Sequence, residues 1–255
     1  MSRIANAFNN KKAFIAFLTA GDPDYETSLE NFKAVIEAGA DLIEVGIPFS
    51  DPIAEGPVIQ EADIRALASG MTTDRVFGLV HDIRKEYDIP IVFMTYANPV
   101  YHYGADKFFK NAADAGADGI IIPDCPYEER GEFEEAAAKY GIDFISMIAP
   151  TSEDRIKTIA SQAKGFIYVV SSLGVTGVRS EITTDLDSII KLIKESSDTP
   201  AAIGFGISTP EQALAMSKKA DGVIVGSAIV RIVAEYGKDA PAKLSEYVKS
   251  MTKGL

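Results

Sequence analysis

Asp41-Leu-Ile-Glu-Val-Gly-Ile-Pro-Phe-Ser-Asp-Pro-Ile-Ala-Glu-Gly-Pro-Val-Ile-Gln60 opens on a short apolar run, Leu42, Ile43 and Val45. Such a run is what a strand shows when both of its faces are buried in a parallel sheet. Glu44 sits inside it. A carboxylate there must be paired, or neutralised by a raised pKa, or pointed into a polar cavity, because an unpaired buried charge costs several kcal/mol. Gly46, Pro48, Pro52, Gly56 and Pro57 then impose a rigid loop that brings Asp51 and Glu55 to the end of the strand. Two carboxyl groups in different environments can divide acid and base roles, which makes Glu44 and Glu55 candidate catalytic residues. The alternative is that Glu44 is ion-paired inside a barrel and that the loop acids cap the next helix.

Working outward, short apolar runs alternate with amphipathic segments along the whole chain, the signature of βα units on a parallel sheet. Strands are expected at 13–19, 41–45, 91–95, 118–122, 142–148, 166–170, 201–203 and 222–225. Helices are expected between them, among others at 61–68, 73–87, 127–140, 153–163 and 209–219, with residues 46–60 and 96–104 as loops. Eight such units, preceded by an additional N-terminal helix, match a (β/α)8 TIM barrel better than an open doubly wound sheet. No linker or low-complexity segment divides them, so residues 1–255 read as one domain. Glu37-Ala-Gly-Ala-Asp-Leu-Ile-Glu-Val-Gly46, Asp114-Ala-Gly-Ala-Asp-Gly-Ile-Ile-Ile-Pro123 and Lys219-Ala-Asp-Gly-Val-Ile-Val-Gly226 form a weak repeat of helix end, turn and strand. Gly39 and Gly116 in it suit the left-handed position that ends a helix.

A net charge of −12 without any cluster of Lys and Arg argues against nucleic acid or an anionic membrane as partner. The single cysteine, Cys125, excludes an intramolecular disulfide and a cysteine metal site. His81 and His102 lie in unrelated segments and read as surface residues, so no metal site is expected. The apolar run 13–20 is too short to span a membrane and leads into Gly-Asp-Pro rather than a cleavage site. A cytoplasmic location is the expectation.

In barrels of this type the loops after strands seven and eight often hold phosphate on backbone N–H groups. Here they read Gly204-Phe-Gly-Ile-Ser208 and Gly226-Ser-Ala-Ile-Val230, giving Gly204, Phe205, Gly206, Gly226 and Ser227 as candidate binding residues. Ser171-Ser-Leu-Gly-Val-Thr-Gly-Val-Arg-Ser180 has the length and glycine content of a lid, or of an ordinary flexible loop. Phe17, Tyr96 and Tyr168, at strand ends, could hold a flat aromatic substrate.

Taken together, Phe17-Leu-Thr-Ala-Gly-Asp-Pro23, Leu42-Ile-Glu-Val-Gly-Ile-Pro-Phe-Ser-Asp-Pro52, Gly56-Pro-Val-Ile-Gln60, Tyr96-Ala-Asn98, Ser172-Leu-Gly-Val-Thr-Gly177 and the two glycine loops closely resemble the tryptophan synthase alpha chain family. The likeness spans nearly the whole chain in one order. It implies a (β/α)8 barrel and the retro-aldol cleavage of indole-3-glycerol phosphate to indole and glyceraldehyde 3-phosphate. It also implies a beta-chain partner in an α2β2 tetramer, with pyridoxal phosphate in that partner and no cofactor in this chain. By the same resemblance Glu44 is the acid/base for indole C3 and the side-chain hydroxyl. Thr176 and Gly177 join the phosphate and lid residues, Asp124 is linked to lid closure, and Asp51 orders the loop or meets the partner. At the position that handles the ring N–H the family carries Asp in Ala-Asp-Gly-Pro, whereas this chain has Ala54-Glu-Gly-Pro57. Glu55 therefore sets its carboxylate roughly 1.5 Å further out. A shift of that size can cost about 100-fold in rate unless the loop adjusts.

Overall fold

A computed structural model describes residues 2–9, 11–170, 185–204 and 206–255. The apolar runs form strands β1 (Ala13–Thr19), β2 (Leu42–Gly46), β3 (Ile91–Met94), β4 (Gly119–Ile121), β5 in two segments (Asp143–Phe144 and Ser146–Ile148), β6 (Ile167–Val170), β7 (Ala201–Gly204) and β8 (Gly222–Val225). All pairings are parallel, and β1 joins β2 on one side and β8 on the other. The first segment of β5 pairs with β4 and its second with β6, which closes the ring. The break falls at Ile145, whose N–H is still donated to the carbonyl of Ile120 (2.8 Å). The expected eight-stranded barrel is thus present, with its fifth strand passing from one neighbour to the other.

Alternation of side chains along each strand divides the apolar residues in two. Phe14, Ile43, Phe93, Ile120, Ile203 and Val223 point outward into the main core under the helices. Ile15, Leu42, Val92, Ile121, Ile145, Tyr168 and Ile224 point inward and fill the barrel. Ile4, on the N-terminal helix Arg3–Ala7, is fully buried in that interior cluster, and the ring of Phe8 lies 5.8 Å from that of Phe166. The extra helix therefore plugs one end of the barrel, leaving the end after the strand C-termini for a site.

Two segments expected as loop are helical. The helix after the β2 loop starts at Pro57 rather than 61, with Gly56 as N-cap, because proline fits the first helical position, where its missing N–H would have no partner anyway. Within 96–104 the helix Ala97–Tyr103 accommodates Pro99 for the same reason, in its first turn. Conversely, the helix expected over 127–140 is interrupted: a 3-10 turn, Tyr127–Glu129, precedes Gly131–Lys139. Gly39 and Gly116 adopt positive φ (110° and 96°) at their helix ends, as the repeat suggests.

Candidate active site

Register sets Glu44 on β2 beside Phe17 on β1 and Val92 on β3, facing inward near the C-terminal end of the barrel. Its side chain is 1% exposed, and neither carboxylate oxygen has a hydrogen-bond partner among the described residues. Among the described residues no cation pairs with it. Burial, and secondarily the charge of Glu55, push its pKa up to about 8, so it holds its proton at neutral pH. The described residues supply no ion pair for Glu44.

Glu55 reaches the same cavity from the loop after β2 and is itself buried. The loop is held by the Glu55 N–H donated to the carbonyl of Pro52 (3.1 Å), by the Gln60 side-chain amide donated to the carbonyl of Glu55 (2.8 Å), and by the Ala54 N–H donated to the Tyr96 hydroxyl (3.1 Å). Tyr96 thus supports the loop after β2, with its ring 5.6 Å from Phe49, and is not among the residues lining the cavity. Asp51 is exposed and accepts the Ser50 hydroxyl (2.5 Å), a contact that orders the loop tip. Asp124, beyond β4, accepts the N–H of Ala97 (2.9 Å) at the start of the helix after β3 and so ties two rim loops together.

The cavity over these acids measures about 670 Å³, including the part open to solvent. Phe17 and Tyr168 form its aromatic walls. Gly46 and Gly204 make room for them: a Cβ on Gly46 would stand 2.7 Å from the Phe17 ring, and one on Gly204 would stand 2.4 Å from the Tyr168 hydroxyl. Gly204 therefore acts by admitting Tyr168 and is not itself part of the wall. On the far side Gly206, Gly226 and Ser227 line the cavity, with Gly206 at φ 79° and Ser227 opening the helix Ser227–Tyr236. The N–H groups at a helix start, with its dipole, suit an anion. Thr176, Gly177, Phe205 and the 171–180 segment lie outside the described residues.

The cavity also contains side chains that the sequence does not single out. Met94, Met147 and Ile224 lie on its floor, and Ile59 comes from the helix Pro57–Ala68. The first three share the inward parity of their strands, which would have marked them. His81 and His102 are exposed, and the described residues hold no group of three His, Cys, Asp or Glu side chains that could bind a metal ion. No helix among them is long and apolar enough to cross a membrane.

A parallel (β/α)8 barrel with two buried acids facing a cavity at its C-terminal mouth has the arrangement of an enzyme of the barrel class. The family model described as "Tryptophan synthase alpha chain" matches residues 4–254. A tryptophan synthase alpha chain from Lacticaseibacillus casei is 52% identical over 251 residues, covering 98% of this chain and 94% of its own length. A solved structure from Aquifex aeolicus VF5 superposes with a TM-score of 0.92 at 38% identity, covering 100% of this chain and 99% of that one. A chain of the tryptophan synthase α2β2 complex from Pyrococcus furiosus gives 0.87 at 38% identity, with 94% and 98% covered. This chain belongs to the tryptophan synthase alpha chain family, and it is accordingly a lyase subunit of tryptophan biosynthesis.

Proposed function

We propose that this chain cleaves indole-3-glycerol phosphate to indole and glyceraldehyde 3-phosphate, and that it does so as the alpha partner of a beta chain in an α2β2 assembly. The observation that carries this reading is the buried Glu44 facing the cavity, with no hydrogen-bond partner for its carboxylate among the described residues. Indole cannot leave as a C3 carbanion. Glu44 gives its proton to C3 while Glu55, as carboxylate, takes the ring N–H proton, producing the indolenine. Glu44, now ionised, takes the proton of the side-chain hydroxyl. The C3–carbon bond breaks, the aldehyde forms, and the electron pair returns through the ring to nitrogen, which recovers its proton from Glu55. Both acids end as they began, and no proton is gained or lost.

Phe17 and Tyr168 would sandwich the indole, and Gly206, Gly226 and Ser227 would receive the phosphate at the helix start. The longer Glu55 would serve in place of the family's Asp because its loop is held by single hydrogen bonds at Pro52, Gln60 and Tyr96 that can adjust. On this reading the chain is a cytoplasmic enzyme without a cofactor of its own, and pyridoxal phosphate belongs to the beta chain. The Pyrococcus furiosus complex supports that partnership by likeness.

The test is indole release from indole-3-glycerol phosphate by the purified chain, with and without a cognate beta chain, with Glu44→Gln and Glu55→Gln as controls. Slow release that rises sharply with the beta chain and falls by about 100-fold or more in either control is the expected result. Fast release without the beta chain would indicate a stand-alone lyase. No release under either condition would indicate an activator subunit, and an undiminished rate in Glu55→Gln would remove that residue from the mechanism.

A further inference from the structure

Beside the active-site cavity lies a second one, of about 1310 Å³ including the part open to solvent, and the two share Ala54, Pro123 and Met147 as a common wall. Its place follows from the break in β5. Asp143–Phe144 pairs with β4 and Ser146–Ile148 with β6, so beyond the bond from Ile145 to Ile120 the barrel wall between β4 and β5 is not sewn by backbone hydrogen bonds among the described residues. The lips of this gap are Ile122 and Pro123 on one side and Ser146 and Met147 on the other, and all four line the second cavity. Its remaining wall is largely apolar, with Phe144, Ile159 and Val170 in it. The two cations it contains are already matched. The Arg130 guanidinium donates to the Ser146 hydroxyl (3.2 Å), pairs with Glu134 (2.9 Å) and lies 4.3 Å from the centre of the Tyr127 ring, while Arg155 holds both carboxylate oxygens of Glu128. The cavity therefore suits an apolar group rather than an anion.

We propose that the second cavity is an extension of the active site that receives an apolar substituent on the benzo ring, so that the chain cleaves ring-substituted indole-3-glycerol phosphates as well as the parent compound. The inference rests on the cleavage reading above. In a ring of eight strands β3 and β4 stand opposite β7 and β8. A substrate whose phosphate lies at Gly206, Gly226 and Ser227, after β7 and β8, points its far end, the benzo edge, at Met94 of β3 and Pro123 after β4, with Met147 of β5 beside them. Ala54 and Pro123 have no side chain that can swing aside. Met147 has three rotatable bonds and a polarizable thioether, and is the adaptable part of the shared wall. A substituent that displaces it leaves water for an apolar lining, which is a favourable transfer. The substituted carbon takes no part in the proton transfers, so the bonds made and broken are those already written, and the products are the substituted indole and glyceraldehyde 3-phosphate.

The test compares indole-3-glycerol phosphate with derivatives carrying a propyl group at C5 or at C6, all on the α2β2 complex. Glyceraldehyde 3-phosphate is followed with a coupling dehydrogenase, so that the readout does not depend on the ring. A closed apolar pocket penalises even one surplus methylene by about 10- to 200-fold. Here kcat/KM for at least one propyl substrate should stay within about tenfold of the unsubstituted value. Met147→Ala, which lowers the shared wall, should raise the ratio of substituted to unsubstituted kcat/KM by about tenfold. Ala149→Phe fills the second cavity from a position that does not line the active-site cavity. It should lower kcat/KM for the propyl substrate by about 100-fold and leave the unsubstituted one within about threefold. If Ala149→Phe does not fold, Cys125→Phe, entering the same cavity from the loop after β4, makes the same comparison. Rejection of both propyl substrates by more than about tenfold, with the unsubstituted one cleaved, overturns this inference alone. So does an unchanged ratio in Met147→Ala, or a filled cavity that slows the propyl substrate no more than the unsubstituted one. A complex that cleaves none of the three overturns the cleavage reading, and this inference with it.

Discussion

Glu44 is held where its ionisation works against the fold. The unfolded chain gives up this proton near 4.5, and the folded chain keeps it to about 8. Between those values the native state binds more protons than the unfolded state, so stability falls as pH rises through that window. Below it there is no penalty; above it the penalty is complete. At 1.36 kcal/mol per pKa unit the penalty at pH 7 is about 3 kcal/mol. Glu44→Gln, neutral and of the same shape, should therefore be more stable than the parent, by a margin that grows from pH 5 to pH 8 in urea denaturation. An equal margin at both pH values would mean that Glu44 is ionised and satisfied in the folded chain. This residue was legible because a carboxylate inside an apolar run demands an explanation. Asp63 was not, although its place between Ile59, Ala62 and Ala66 on the buried face of a helix carries the same signal.

At the scale of the element, the helix Pro57–Ala68 does more than follow the loop that carries Glu55. Arg65 forms a two-pronged pair with Asp22, which is 3% exposed, and so clamps the helix to the turn after β1. Burial raises the Asp22 pKa despite the opposing guanidinium, so desolvation already outweighs the pairing. Removal of the cation leaves a buried carboxyl without its partner. Arg65→Ala should cost about 3 kcal/mol, the lower part of the range for a broken buried pair, since the Arg65 side chain is 31% exposed. Asp22→Asn in that background should recover part of the loss; denaturation of the two variants at pH 7 checks both, and no recovery would show that packing of the Arg65 stem, rather than charge, holds the turn. Helix boundaries here were poorly legible for a physical reason. Residues 57–60 and 97–103 read as loop, whereas a proline in a helix's first turn gives up no hydrogen bond. Strand cores, by contrast, were legible to within a residue or two, because burial on both faces leaves mostly apolar side chains there.

The whole molecule was legible as a barrel because the same unit recurs eight times, and closure needs only that the fifth strand, broken at Ile145, serve two neighbours. A surface for a partner was not, since a single sequence does not separate an exposed isoleucine from a core one. Ile53 and Tyr101 are 74% and 69% exposed, yet stand at one side of the mouth, on the loop after β2 and the helix after β3. The Ala54 N–H bonded to Tyr96 joins these two segments. Full burial of an isoleucine side chain is worth about 1.5–3 kcal/mol, so leaving one in water beside the catalytic loop forgoes that gain unless a second chain covers it. A beta chain docked there would bury Ile53 two residues from Glu55 and could transmit its own state to that acid through the loop. Ile53→Glu should weaken beta-chain binding at least tenfold, about 1.4 kcal/mol, while leaving the isolated chain's stability within about 0.5 kcal/mol. Calorimetric titration of the beta chain into parent and variant, with urea denaturation of each alone, measures both quantities. Unchanged affinity would place the contact elsewhere on the molecule, and Ile53 would then be exposed for the sake of loop geometry alone.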